Sequence, residues 1–261
     1  MLQASLKVAG EERSVAIYLP ASRGPQPPLL LVFHGTDGNA EDAIWGADGQ
    51  TLADNQGVVV IAPQARKMSQ GDWDNHTAGQ TYFETYPSTD VASNPDLQLV
   101  QAIIAEARRA YGVDSKRVYC AGFSNGGFFS LAAAMALPDL VAAFAENSAG
   151  LVRCATTADC EFSGSGTSCG ELATQSGYCS CSGTEKPISI PTGGYKPPGL
   201  LAHAADDGTV SPYYTCDLAA RMQSLGFTTQ VEIRASGGHD WPTGFAEHAW
   251  QFLSQHTHPA N

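Results

Sequence analysis

An α/β fold with a doubly wound, mostly parallel sheet is what this sequence predicts, on three observations. Strand-like and helix-like patterns alternate along most of the chain. Two of the strand patterns, residues 29–33 and 58–62, are continuous apolar runs of the kind that helices cover on both faces. The one long segment without a period, residues 151–196, is dominated by Gly, Ser, Thr, Cys and Pro, and reads as an insertion within a single domain. At 261 residues the chain is long enough to bury one large core.

The elements follow in order. Residues 2–8 and 14–18 alternate apolar and polar side chains around Gly10-Glu11-Glu12, which predicts an antiparallel hairpin with one wet face at a sheet edge. Between the two buried strands, residues 41–55 form a weakly patterned helix. The clearest helix is 96–111, where Leu97, Val100, Ile103, Ile104 and Ala107 recur at helical spacing between an Asn94-Pro95 start and a Gly112 stop. A strand at 117–121, a glycine-rich turn, an apolar helix at 128–135 and a strand at 141–146 come next. Beyond the insertion are a strand at 200–204, a helix at 213–225, a β-rich run at 229–233 and an amphipathic helix at 245–255.

Composition narrows the function. Fourteen Lys and Arg against 26 Asp and Glu leave a net charge of −12, which repels phosphate backbones and excludes a nucleic-acid partner. No apolar run reaches the roughly 20 residues of a membrane span. Of the seven cysteines, Cys154, Cys160, Cys169, Cys179 and Cys181 crowd the insertion, a segment too polar to form its own core. Such crowding predicts disulfide staples and hence export to the outside or the periplasm. No signal peptide is visible over residues 1–9, as a mature start would explain. A structural zinc site is not expected, because there is no C-x-x-C pair and no histidine lies between Met135 and Ala202. Cys120, at the end of an apolar strand, reads as a buried free thiol.

Gly122-Phe123-Ser124-Asn125-Gly126 matches G-x-S-x-G, and its context carries the information. An apolar strand precedes it and an apolar helix follows, so Ser124 would stand on a sharp strand-to-helix turn. Gly166-Thr167-Ser168-Cys169-Gly170 fits the same pattern inside the insertion, without strand or helix, and is set aside. A serine hydroxyl needs a base, and His239, in Gly237-Gly238-His239-Asp240-Trp241-Pro242 directly after the last strand, is the leading candidate. His203 and His34 end apolar strands, where a histidine more often satisfies backbone groups than catalyses. The acid should follow the strand at 200–204, and Asp206 and Asp207 both qualify by position. The oxyanion donors expected are the backbone N–H groups of Asn125 and of Thr36 in the Phe33-His34-Gly35-Thr36 turn, with the Gly35 amide as the alternative to Thr36. His34, Trp73 and Trp241 are the candidate substrate contacts.

Together, His34-Gly35-Thr36, Gly122 through Gly127, His203 through Pro212 and Gly238-His239-Asp240-Trp241-Pro242 resemble the esterase/polyhydroxybutyrate-depolymerase family of α/β-hydrolases, which includes feruloyl and acetylxylan esterases. The resemblance implies an acid four residues after His203 and three before Val210, which selects Asp207. It implies also that Trp241 lies near the acyl or alcohol pocket, and that residues 151–196 form a lid. Ala204, Ser211 and the cysteine-rich insertion depart from the family pattern, which bears on substrate rather than chemistry. The expectation is a serine esterase for feruloyl, acetyl or similar small esters, with no cofactor and with a monomer favoured. A polyester depolymerase and a catalytically silent ligand-binding protein are the alternatives.

Overall fold

A computed structural model describes residues 1–70, 76–85, 90–151, 164–175, 190 and 193–259. In chain order the elements are β1 (Leu2–Val8), β2 (Glu11–Tyr18), β3 (Leu29–Phe33), α1 (Ala40–Gly46), α2 (Gly49–Gln56), β4 (Val59–Pro63), β5 (Arg66–Lys67) and β6 (Thr81–Tyr82). They continue as α3 (Pro95–Tyr111), β7 (Val118–Phe123), α4 (Asn125–Ala136), β8 (Ala143–Asn147), α5 (Cys169–Ala173), β9 (Gly199–Ala204), α6 (Tyr213–Ser224), β10 (Thr229–Arg234) and α7 (Phe245–Leu253).

The main sheet has eight strands in the order β1-β2-β4-β3-β7-β8-β9-β10. β1 pairs antiparallel with β2 and β2 with β4, and every later neighbour is parallel. The expected hairpin is therefore at the edge, closed more tightly than expected. Ala9 and Gly10 both take positive φ, 51° and 86°, the geometry that matches the twist of paired strands, so Glu11 and Glu12 belong to β2.

Continuous apolar strands are explained by two cores. Leu29, Leu31 and Phe33 of β3 pack with side chains of α3, α4 and α6, whereas Leu30 and Val32 pack with those of α1, α2 and α7. After β3 the chain first builds β4 on one side and then crosses through α3 to β7 on the other. The carboxyl ends of β3 and β7 thus border the crevice where the winding direction reverses, the usual place for a ligand in such sheets. The turns that follow Phe33 and Phe123 both open there.

Two expectations are revised. The helix expected at 41–55 is split into α1 and α2, with Asp48 between them at φ 60°. The break lets both pieces lie close to the fold, since a Cβ on Gly46 would stand 2.7 Å from the Trp241 ring and one on Gly49 would stand 3.3 Å from Val60. The segment read as irregular contains α5, capped by Ser168 and tied to α6 by a Cys169–Cys216 disulfide. Most of the segment expected to form a lid, with Cys154, Cys160, Cys179 and Cys181, lies outside the described residues. Cys120 is free and buried, and burial pushes its thiol up. Among the described residues no helix is long and apolar enough to cross a membrane.

The bridge closes a sequence separation of 47, so replacing Cys169 and Cys216 together by Ser should lower the unfolding free energy by about 2–4 kcal/mol. Equilibrium urea denaturation measures this, and an unchanged midpoint would show that α5 contributes nothing to global stability.

Candidate active site

Between β7 and α4 the chain turns within a single residue. Ser124 has φ 55° and ψ −127°, a backbone conformation that a residue with a side chain adopts only when its surroundings enforce it. Close packing enforces it. A Cβ on Gly122 would lie 2.0 Å from the Gly126 carbonyl oxygen, and one on Gly126 would lie 2.2 Å from the Phe33 oxygen. On Gly127 it would lie 2.7 Å from Ala149 Cβ. The glycines of the motif are thus the condition for α4 to start against β3 and β7. The Ser124 N–H donates to the Asn147 carbonyl at 2.9 Å, which anchors the turn to the end of β8.

The loop after β10 returns over the sheet through Gly237 and Gly238, at φ 141° and 59°. It brings His239 Nε2 to 3.0 Å from Ser124 Oγ and His239 Nδ1 to 2.8 Å from Asp207 Oδ2. A carboxylate beside Nδ1 selects the tautomer with the proton there, which leaves Nε2 free to accept the Ser124 hydroxyl proton. The two adjacent aspartates divide by geometry. Asp206 is exposed and accepts the Gly238 N–H at 2.8 Å, so it shapes the histidine loop. Asp207 is buried, and its Oδ1 accepts the N–H groups of Thr209 and Val210 at 2.8 and 2.9 Å. Burial alone would raise its carboxyl, but hydrogen bonds from His203, His239 and Val210 outweigh it and hold the group well below the usual carboxylate range.

The Gly35-Thr36 turn packs against the serine turn: a Cβ on Gly35 would be 3.2 Å from Ser124 Cβ. The Asn125 N–H opens α4, where no intrahelical acceptor exists. The Asn125 side chain has a separate task that the motif does not announce: its Oδ1 accepts the Phe83 N–H at 2.8 Å and its Nδ2 donates to the Phe83 carbonyl at 3.1 Å. Thr36 Oγ1 is 2.8 Å from His76 Nε2, and the His76 ring stacks on Tyr82.

Of the expected substrate contacts, Trp241 is at the site. Its ring lies 5.4 Å from Phe123, which lies 4.7 Å from His239, so the two aromatics form one wall. His34 is a correction. It is buried, its Nε2 accepts the Ala65 N–H at 3.1 Å and its Nδ1 meets the Gly35 carbonyl at 2.7 Å, so neither nitrogen is left for a substrate. Burial also lowers its basicity. Its role is to shape the turn that carries Thr36. Trp73 lies outside the described residues. Asn147 was not anticipated: besides its carbonyl on Ser124, its Nδ2 donates to Asp240 O at 3.2 Å and its Oδ1 accepts from Arg234 at 3.0 Å. A polar residue ending an apolar strand was its only signal.

A profile of the Esterase PHB depolymerase family matches residues 13–162, more than half of the chain. The match takes in Thr36 and Ser124 and stops short of Asp207 and His239, which the geometry supplies. The chain is 34% identical over 136 residues to the bifunctional acetylxylan esterase/xylanase XynS20E of Neocallimastix patriciarum, covering 52% of this chain and 18% of that protein. It is 31% identical over 143 residues to a poly(3-hydroxybutyrate) depolymerase of Ralstonia pickettii, covering 50% of this chain and 28% of that one. With a feruloyl esterase B of Talaromyces funiculosus the identity is 27% over 129 residues, 49% of this chain and 33% of the relative. The aligned part is thus a third or less of each of these proteins. The fold is that of the solved acetyl xylan esterase from Aspergillus awamori, with a TM-score of 0.62 at 14% identity over 97% of this chain and 99% of that one.

Because Asn125 pairs with both backbone groups of Phe83, Asn125→Ala should leave an N–H and a carbonyl unpaired and destabilise the protein by roughly 2–4 kcal/mol. Chemical denaturation tests this, and a loss within about 0.5 kcal/mol, the scale of a neutral surface change, would mean that the clamp is dispensable.

Proposed function

The chain belongs to the Esterase PHB depolymerase family, and on that premise we propose that it is a serine carboxylic-ester hydrolase, with Ser124 as nucleophile, His239 as general base and Asp207 as the group that holds the imidazole. The observation that carries this reading is the unbroken hydrogen-bonded chain from the Ser124 hydroxyl through His239 to a buried, ionised Asp207. Ser124 Oγ attacks the ester carbonyl carbon while its proton passes to His239 Nε2. The Asn125 and Thr36 N–H groups receive the negative charge that develops on the carbonyl oxygen, and the helix N-terminus favours the same charge. Collapse of the tetrahedral intermediate expels the alcohol, which takes the proton from His239. Water then gives a proton to Nε2 and attacks the acyl-enzyme, which releases the acid and restores Ser124.

For substrate we infer small acyl esters of the feruloyl or acetyl kind. The names of the fungal relatives support that class, and the wall of Phe123 and Trp241 suits a planar acyl or alcohol group. A polyester substrate is the second reading, favoured by the similarity to the Ralstonia pickettii depolymerase. The Cys169–Cys216 disulfide supports an oxidising compartment as the place of action, outside the cell or in the periplasm.

Ser124→Ala should reduce hydrolysis of p-nitrophenyl acetate by roughly 10⁴- to 10⁶-fold and abolish fluorophosphonate labelling, with the fold intact by circular dichroism. Retained turnover would reject the assignment. Ranking kcat/KM over feruloyl, acetyl-xylan and hydroxybutyrate esters decides between the two substrate readings.

A further inference from the structure

Behind Asp207 the hydrogen-bonded chain continues away from the substrate. Asp207 Oδ2, 2.8 Å from His239, is also 3.2 Å from Nε2 of a second imidazole, His203, which is fully buried. His203 Nε2 also faces the Val210 carbonyl at 2.9 Å, and two acceptors opposite one nitrogen place the proton on it. The other nitrogen, Nδ1, is 2.6 Å from Thr215 Oγ1 in the first turn of α6. That hydroxyl in turn is 2.8 Å from the Ala149 carbonyl and 3.4 Å from Glu146 Oε1.

Glu146 is the unexplained member. It sits on the interior strand β8, opposite Gly122 of the nucleophile strand and Leu201 of β9, and it is fully buried. Among the described residues its Oε2 has no hydrogen-bond partner. A carboxyl in such a place is strongly disfavoured in its charged form, and the substrate chemistry above does not use it. Burial pushes its carboxyl up to about 8, against smaller opposing effects of Thr215, Ala149 and Arg234, so it carries its proton at neutral pH. Among the described residues, the ionisable groups around it are His203 on β9, Asp207 in the loop beyond and Arg234 on β10, while α6 presents Thr215 beside Tyr213 and Tyr214. The buried face of α4 has none.

We propose that Glu146, Thr215 and His203 form a buried positioning arm of the triad, which holds Asp207 behind His239 and makes that hold depend on the proton of Glu146. The inference rests on the triad reading above. A threonine hydroxyl has one proton to give. With Glu146 protonated, its O–H is available to Thr215, and the Thr215 proton can go to His203 Nδ1. With Glu146 ionised, its Oε1 joins the Ala149 carbonyl in competing for the single Thr215 proton, and His203 Nδ1 is left without a donor. His203 then loosens behind Asp207, which weakens the support of His239 as it becomes positive during attack.

Three variants test this with p-nitrophenyl acetate as substrate. Thr215→Val removes the hydroxyl, Thr215→Ser keeps it, and Glu146→Gln keeps the shape without the ionisation. Expected are a kcat on the order of tenfold lower in Thr215→Val with KM within about twofold, and recovery of most of that loss in Thr215→Ser, a small share of what acid–base catalysis supplies. The wild-type protein should lose kcat/KM as pH rises past about 8, and Glu146→Gln should lack that fall. Wild-type kcat and pH dependence in Thr215→Val, or an unchanged alkaline fall in Glu146→Gln, would overturn the proposal. If Thr215→Val does not fold, the Glu146→Gln profile decides alone. Fluorophosphonate labelling separates the two levels: a wild-type protein that labels at Ser124 while these variants match it rejects the arm only, and one that does not label rejects the triad and the arm together.

Discussion

No methyl group fits between Gly122 and the Gly126 carbonyl, nor between Gly126 and the Phe33 carbonyl, and the site is arranged around that exclusion. Because the backbones touch, α4 begins at the point where β7 ends, and its first free N–H and the Ser124 hydroxyl share one spot above the crevice. The unfavourable φ of Ser124 is maintained by neighbours that have nowhere else to go: Phe33 and Phe129 packed edge to face beneath it, the Asn147 carbonyl on its N–H, and the Asn125 amide on Phe83. Strain of this kind persists only inside a rigid core, and here a packed core covers each face of the central strands.

Charge is handled in two ways within the same interior. Asp96 at the start of α3 is buried, and it is satisfied at once by Arg13 of β2 at 2.6 Å and the Glu84 N–H at 2.9 Å, a purely structural knot between distant segments. Asp207 is as deeply buried, but two of its partners are imidazoles, and one of these reaches the serine. An ionised carboxylate with both oxygens engaged is a stable negative charge, and a stable negative charge is what an imidazole about to become positive requires. Glu146 is the opposite case: desolvated, incompletely paired and therefore neutral.

Much of the architecture was legible from residues alone, for reasons that can be named. Period and punctuation located α3, from the Asn94 cap to Gly112, because its signals are local: Asn94 Oδ1 accepts the Asp96 and Leu97 N–H groups and Gly112 takes the left-handed φ of 67°. Local signals failed where distant packing decides. The split of the 41–55 helix depends on Trp241, nearly 200 positions away, resting where a Gly46 side chain would be. His34 stood as a candidate substrate contact, yet Gln64 and Ala65 of the neighbouring segment enclose it.

The nucleophile turn, the histidine loop and the alternation of strands and helices were written in the sequence, because glycine spacing and apolar periodicity act over a few residues. The separate duties of Asp206 and Asp207 were not separable by position, and their division rests on which carboxylate the fold buries against two histidines and which it leaves to cap Gly238. The joining of Asn147 to the Ser124 turn, the His239 loop and the end of β10, and of Glu146 to His203 and Asp207 through Thr215, belongs to the tertiary structure alone. Hydrogen bonds across neighbouring strands link residues by register, and register leaves no mark on residues that stand dozens of positions apart.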